Sequence, residues 1–183
     1  MNLTKGKNMK KIIIGSSVIL LAVLLRLLPH PPNMAPIAAI ALIGGVYLDR
    51  RFALLIPFAA LIISDAIIGF HSTIPFVYGS FLATGLIGMW LQSHKKIVFI
   101  AGGTLLSSII FFIVTNFGVW LTGSGWYYPK TLGGLAECYT LAIPFFRNSL
   151  IGDIGYTAVL FGFFELTEYA VRYFEKPQTQ NIE

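Results

Sequence analysis

Several charged or hydrogen-bonding residues stand inside long apolar stretches: Arg26, Asp65, Asn116, Arg147 and Asp153. A charge at the centre of a membrane helix costs about 2.5–3.5 kcal/mol on insertion scales, so such residues face a protein interior or a watery cavity. Their mixed signs suit a zwitterionic or heteroaromatic ligand held by charge and hydrogen bonds. Tyr78, Trp120 and Trp126 add aromatic faces that stack on a ring. Asn33 and Asn148 extend the hydrogen-bonding set. The same residues also permit an internal role, in which Arg26 or Arg147 pairs with Asp65 or Asp153 and holds helices together.

Other chemistries find little support. Cys138 is the single cysteine, which excludes an internal disulfide and a multi-cysteine metal cluster. The spacing of His30, His71 and Cys138 specifies no metal. The chain carries no His-x-x-x-His pair, no Gly-x-Ser-x-Gly elbow and no Asp-rich diphosphate motif. The expectation is therefore no catalytic residue, no cofactor and no metal. A GxxxxGK[ST] loop is also missing, so energy from ATP would have to come through a partner chain.

The elements that must position these residues are long apolar helices. Of 183 residues, 56% are hydrophobic and 11% are charged, against about 25% charged in an ordinary soluble domain. The apolar residues form blocks at 12–28, 33–48, 52–70, 74–91, 97–121 and 148–169, each near the roughly 20 residues that cross a bilayer. The Pro29–Pro32 turn ends the first block, because proline lacks an amide donor and restrains its predecessor. Asn33 is placed to cap the second. The basic start followed by an apolar run is read as the first span and not as a cleaved signal. Segment 131–146 is moderately apolar but contains paired glycines, Glu137 and Pro144, and reads as a short surface or re-entrant helix. The expected fold is all-α: a polytopic membrane bundle of six transmembrane helices plus that short outer helix. Residues 1–11 form a basic cytoplasmic start, 12–174 a single membrane domain, and 175–183 a disordered tail.

Charge sets the orientation, since positive residues collect in cytoplasmic loops. With six spans, Lys5, Lys7, Lys10, Lys11, Arg50, Arg51, Lys95, Lys96, Arg172 and Lys176 share one side, and Arg26, Lys130 and Arg147 lie toward the other. Both termini are then cytoplasmic, in a bacterial inner membrane. The net charge of +5 is topological and needs no nucleic acid. In this topology the polar residues concentrate toward the outer face, predicting an outward-facing pocket above an apolar plug. Small residues four apart, including Ala35 and Ala39, allow close helix packing within the bundle or docking of a partner. Glu165, Glu168 and Arg172 read as a solvated helix end.

A set of motifs resembles a family of small bacterial six-helix integral membrane proteins. It comprises Arg26-Leu-Leu-Pro-His-Pro-Pro-Asn33, Ala35-Pro-Ile-Ala-Ala-Ile-Ala41, Ser64-Asp65, Thr115-Asn-Phe-Gly-Val-Trp120, and Pro144-Phe-Phe-Arg-Asn148 with Gly152-Asp153. More distantly, the design is similar to the S components of energy-coupling-factor vitamin transporters. That likeness implies a substrate-binding subunit for a vitamin or other small polar micronutrient, lying in the lipid bilayer. Arg26, Asn33, Asp65, Tyr78, Asn116, Trp120, Arg147, Asn148 and Asp153 would form its pocket. Ala35 and Ala39 would dock a transmembrane coupling subunit driven by ATPases. In S components such alanines lie in the first span, whereas here they are in the second. The competing readings are an intramembrane enzyme using Asp65, Asp153 or His30 as acid or base on a lipid-like substrate, and a structural or assembly subunit.

Overall fold

The computed structural model describes residues 20–29, 31, 33–48, 50–125 and 127–174. The basic start, the first part of the first span, His30, Trp126 and the tail lie outside them. Six helices are present among the described residues: α1 at 20–27, α2 (Ile37–Tyr47), α3 (Arg50–Ile68), α4 (Ile74–Leu91), α5 (Ile97–Thr122) and α6 (Leu132–Phe174). The described residues contain no strand. α3, α4, α5 and α6 are each long and apolar enough to cross a membrane. Their outward faces are apolar as well, with Leu55, Ile63, Val98, Val159 and Phe163 all exposed. That surface is stable against lipid tails and unfavourable against water. The chain is an all-α membrane protein.

α2 occupies the middle. It packs against α3, α4, α5 and α6, and every residue from Ile37 to Val46 is buried. With 11 residues it rises about 16 Å, roughly half of a hydrocarbon core. The expected second span is therefore a shorter, enclosed helix. Glycine makes the enclosure possible. A Cβ on Gly45 would stand 2.6 Å from the carbonyl carbon of Gly88, and one on Gly88 only 2.2 Å from the Leu42 carbonyl oxygen. The backbones of α2 and α4 thus cross with nothing between them.

Two apolar clusters surround α2. One joins Ala22, Val23, Ile37, Ile40, Ile56, Leu61 and Phe81. The other joins Leu42, Ile43, Val46, Leu91 and Ile100, toward the end of the bundle that carries Arg51, Lys95 and Lys96. That basic end is fastened by Tyr47, whose ring stacks on Phe164 at 4.7 Å. Its hydroxyl bonds the Glu165 carboxylate, and the Lys95 ammonium lies 4.3 Å over its ring. Glu165, expected to be a solvated helix end, is half-buried in this contact.

Two turns depart from expectation. Asn33 does not cap α2, because the helix starts only at Ile37 with Pro36 before it. Asn33 instead takes φ 61° in the connection, a left-handed conformation that asparagine tolerates better than most residues. Segment 131–146 does not stand apart either. α6 runs through it for 43 residues, about 65 Å and twice the hydrocarbon thickness. Thr131 caps the start, its hydroxyl accepting from the Gly134 amide at 3.1 Å. Pro144 removes one helix hydrogen bond without breaking the helix. The Phe112 ring of α5 holds both flanks, packing on Tyr139 at 5.6 Å and Phe146 at 4.8 Å.

The glycine crossing gives a direct test. Gly88→Leu is expected to lower the unfolding midpoint in detergent by about 5–10 °C, the range for overpacking a chain of this length. Gly102→Ala, where an added Cβ meets open space, should not lower it.

Candidate functional site

The polar side chains inside the bundle separate into two groups. The first joins α1, α3 and α4. Arg26 Nη1 lies 2.7 Å from Asp65 Oδ1 and also bonds the Ser64 hydroxyl. Tyr78 donates its phenol to Asp65 Oδ2 at 2.8 Å, and its ring is met edge-on by Phe58. Asp65 is 1% exposed. Its Oδ2 accepts from Tyr78, while Oδ1 is held by the Arg26 charge with no hydrogen bond of its own among the described residues. Of the pairings open from sequence, the one formed is Arg26 with Asp65. It is a closed knot that ties three helices.

The second group lies between α5 and α6. Asp153 is 6% exposed, and Ser108 Oγ approaches its Oδ2 at 2.7 Å. The same hydroxyl also lies 3.0 Å from the Thr104 carbonyl, so one proton serves two acceptors. A carboxylate offers about four lone-pair positions. Asp153 has no ion pair and no other hydrogen bond among the described residues. Thr104, Ser107, Ser149 and Thr157 are buried on the same two helices, and Ser80 and Thr84 on α4. Most of the α4 and α5 hydroxyls return their proton to their own helix, as Ser80 does to Phe76, Thr84 to Ser80 and Thr104 to Ile100. Among the described residues Ser107 Oγ and Thr157 Oγ1 have no hydrogen-bond partner, a state that Asp65 Oδ1 shares apart from its ion pair.

Helix rise places the groups in depth. Asp65 is about 22 Å along α3 from the basic end, and Ser108, opposite Asp153, about 17 Å along α5. Asp65 therefore sits in the half of α3 away from the basic end, and Asp153 lies near mid-depth, at the middle of α6. The apolar cluster around Leu42, Leu91 and Ile100 lies on the basic side of them. The buried hydroxyls of Thr84, Thr104 and Thr157 carry polarity deeper than the charged residues alone indicated.

The remaining predicted residues do not join either group. Arg147 is exposed, with no hydrogen bond or ion pair among the described residues. Asn148 is half-buried beside it and Asn33 is exposed. Asn116 donates back to the Phe112 carbonyl of its own helix at 2.7 Å. Trp120 closes the far end of α5, its indole donating to the Pro129 carbonyl at 3.0 Å. Lys130 lies over that ring at 5.3 Å and donates to the Leu121 carbonyl at 2.8 Å. A cation at a helix C-terminus complements its dipole. Nearby, burial first, then Cys138 and Glu137, push the Tyr128 phenol above its ordinary value. Ala39 is 1% exposed and Ala35 packs on the core. Ala39 packs within α2, which other helices cover, and Ala35 is half-buried just before it. Among the described residues no three His, Cys, Asp or Glu side chains gather to hold a metal. The cavity of about 580 Å³ between α4 and α5, lined by Trp90, Val98, Phe99 and Gly102, is apolar and contains none of the predicted site residues.

The profile of DUF6580, a family of unknown function, matches residues 6–178. The chain belongs to this family. No curated protein and no solved structure matches this DUF6580 member. The matched stretch includes both polar groups and all six helices.

Removing one partner from the first group strands a buried charge. Arg26→Ala or Asp65→Asn is expected to cost about 3–5 kcal/mol of stability, and Tyr78→Phe about 1 kcal/mol. The double variant Arg26→Met, Asp65→Leu should recover most of the loss. Unfolding in mixed micelles, followed by circular dichroism, measures all four.

Proposed function

We propose that this chain is a membrane-embedded substrate-binding subunit, similar in role to the S components, for uptake of a small polar micronutrient or vitamin. The observation that carries the reading is the seam between α5 and α6. Asp153 is buried there with a half-share of one proton donor, and Ser107 on α5 and Thr157 on α6 are buried with no hydrogen-bond partner among the described residues. Hydrogen-bonding groups in that state are expensive in a membrane interior, where the unmet partner costs about 1–3 kcal/mol for each. A polar ligand would meet those needs. The apolar cluster on the basic side would then block free passage of the ligand. We read the protein as a binder and not an enzyme, with the basic end cytoplasmic in an inner membrane. Energy would come from a coupling subunit with ATPases.

The test is ligand identification. Protein purified in mild detergent and then extracted is expected to release a stoichiometric small polar molecule, detected by mass spectrometry. Asp153→Asn should lose it while remaining folded. An empty wild-type protein that also shows no thermal shift with a vitamin panel would overturn the reading. It would favour a structural subunit, which the closed Arg26–Asp65–Tyr78 knot also fits. Orientation is tested separately with Cys138→Ser as background. Lys96→Cys should react with an impermeant maleimide only from the cytoplasmic side, and Tyr127→Cys only from the outside.

A further inference from the structure

The cavity between α4 and α5 stands apart from both polar groups, and one of its ends is charged. Leu86 and Trp90 line it from α4, and Val98, Phe99, Gly102 and Leu106 from α5. From Val98 to Leu106 it runs about 12 Å along α5, within the roughly 15 Å of one leaflet. Gly102 leaves it open, since a Cβ there would meet no atom within 4 Å. The lining side chains carry no hydroxyl, carboxylate or carboxamide, so a polar ligand would find few partners for its hydrogen bonds.

The charged end is the turn from α4 to α5. The His94 ring stacks on Trp90 at 4.6 Å and meets Phe99 edge-on at 5.7 Å, so it rests on two of the lining side chains. Its Nδ1 lies 3.2 Å from the Trp90 carbonyl. A carbonyl only accepts, so that nitrogen carries the hydrogen and Nε2 faces outside groups. Lys96 is exposed at the cap of α5, where no side chain bonds the helix end. The first amides of α5 are therefore open to an acceptor. Lys95 lies over the Tyr47 ring beside them. No Asp or Glu stands between Leu91 and Leu105 to balance these cations. The turn calls for an anion and the cavity for a hydrocarbon chain, and one molecule of the bilayer carries both. We propose that the cavity holds an acyl chain of an anionic phospholipid whose phosphate sits on His94, Lys96 and the start of α5. A second copy of this chain, or a helix of another protein, would cover the cavity but bring no phosphate to the turn. The inference goes beyond the uptake reading and needs nothing from the Asp153 seam.

The experiment places the full chain in nanodiscs and adds brominated phosphatidylglycerol or brominated phosphatidylcholine in rising proportion, since bromine on a chain quenches a tryptophan it touches. With Trp120→Phe and Trp126→Phe as background, Trp90 is the only tryptophan. Should that background fail to fold, the part of the wild-type signal that Trp90→Phe removes gives the same reading. Brominated phosphatidylglycerol is expected to half-saturate the quenching at a proportion about fivefold lower than brominated phosphatidylcholine, the equivalent of about 1 kcal/mol. Gly102→Leu, which fills the cavity, should abolish saturable quenching. His94→Gln, Lys96→Gln changes exposed side chains only and should leave quenching in place while removing the preference for the anionic lipid. Equal quenching by the two lipids, or none by either, would overturn the proposal. So would an undiminished preference in the His94→Gln, Lys96→Gln protein.

Discussion

Side chains are absent where α2 and α4 cross, and the rest of the bundle is arranged around that crossing. Between helices in lipid there is no hydrophobic drive to associate, so packing and hydrogen bonding must hold them. Gly45 and Gly88 let two backbones touch, and α2 can then sink to the centre. Once it is enclosed, α3, α4, α5 and α6 become the wall, with Leu, Ile, Val and Phe turned outward. Gly152 repeats the device on the other flank. A Cβ there would stand 2.8 Å from Met34 Cγ, so α6 lies close against the connection that leads into α2.

Within that frame, two aspartates meet opposite circumstances. Asp65 is met by Arg26 from α1 and by the Tyr78 phenol from α4, and its charge is balanced by Arg26. Asp153 has a serine that must divide its proton. The first arrangement is complete without any visitor and resists change, because parting Arg26 from Asp65 exposes each to hydrocarbon. The second is incomplete. The difference lies in the partners and not in the residue type, since both centres are built on the same carboxylate.

Much of the fold was legible in the sequence. Apolar length set off α4 and α5 at nearly their observed limits, and the short helix expected at 131–146 starts where α6 starts. The enclosed character of α2 was hidden, because a helix buried in protein and a helix buried in lipid have the same composition; only its many small residues pointed to close packing. The continuity of α6 was hidden for a different reason. Pro144 is a local signal, and the grip of Phe112 on Tyr139 and Phe146 is a contact between helices. Of the candidate site, sequence found the charged members. The choice of Arg26 over Arg147 depends on how each helix is rotated, which spacing within one helix does not encode. Ser80, Thr84, Thr104 and Thr157 passed unnoticed and Ser107 was read only as a small packing residue, because a helical hydroxyl commonly bonds its own backbone. What distinguishes Ser107 and Thr157 is that they do not.

α6 runs in the same sense as α2 and touches α2 and the connection that leads into it at two heights, Met34 with Gly152 and Tyr47 with Glu165. The number of residues from Met34 to Tyr47 equals that from Gly152 to Glu165. The two stretches are therefore matched rulers. Inserting or deleting a residue in one stretch would turn everything beyond it by about 100° and slide it by about 1.5 Å, so the far contact would miss unless the other ruler changed in step. Length variation is thereby steered into the turns, and these two stretches of the chain are bound to keep a common measure.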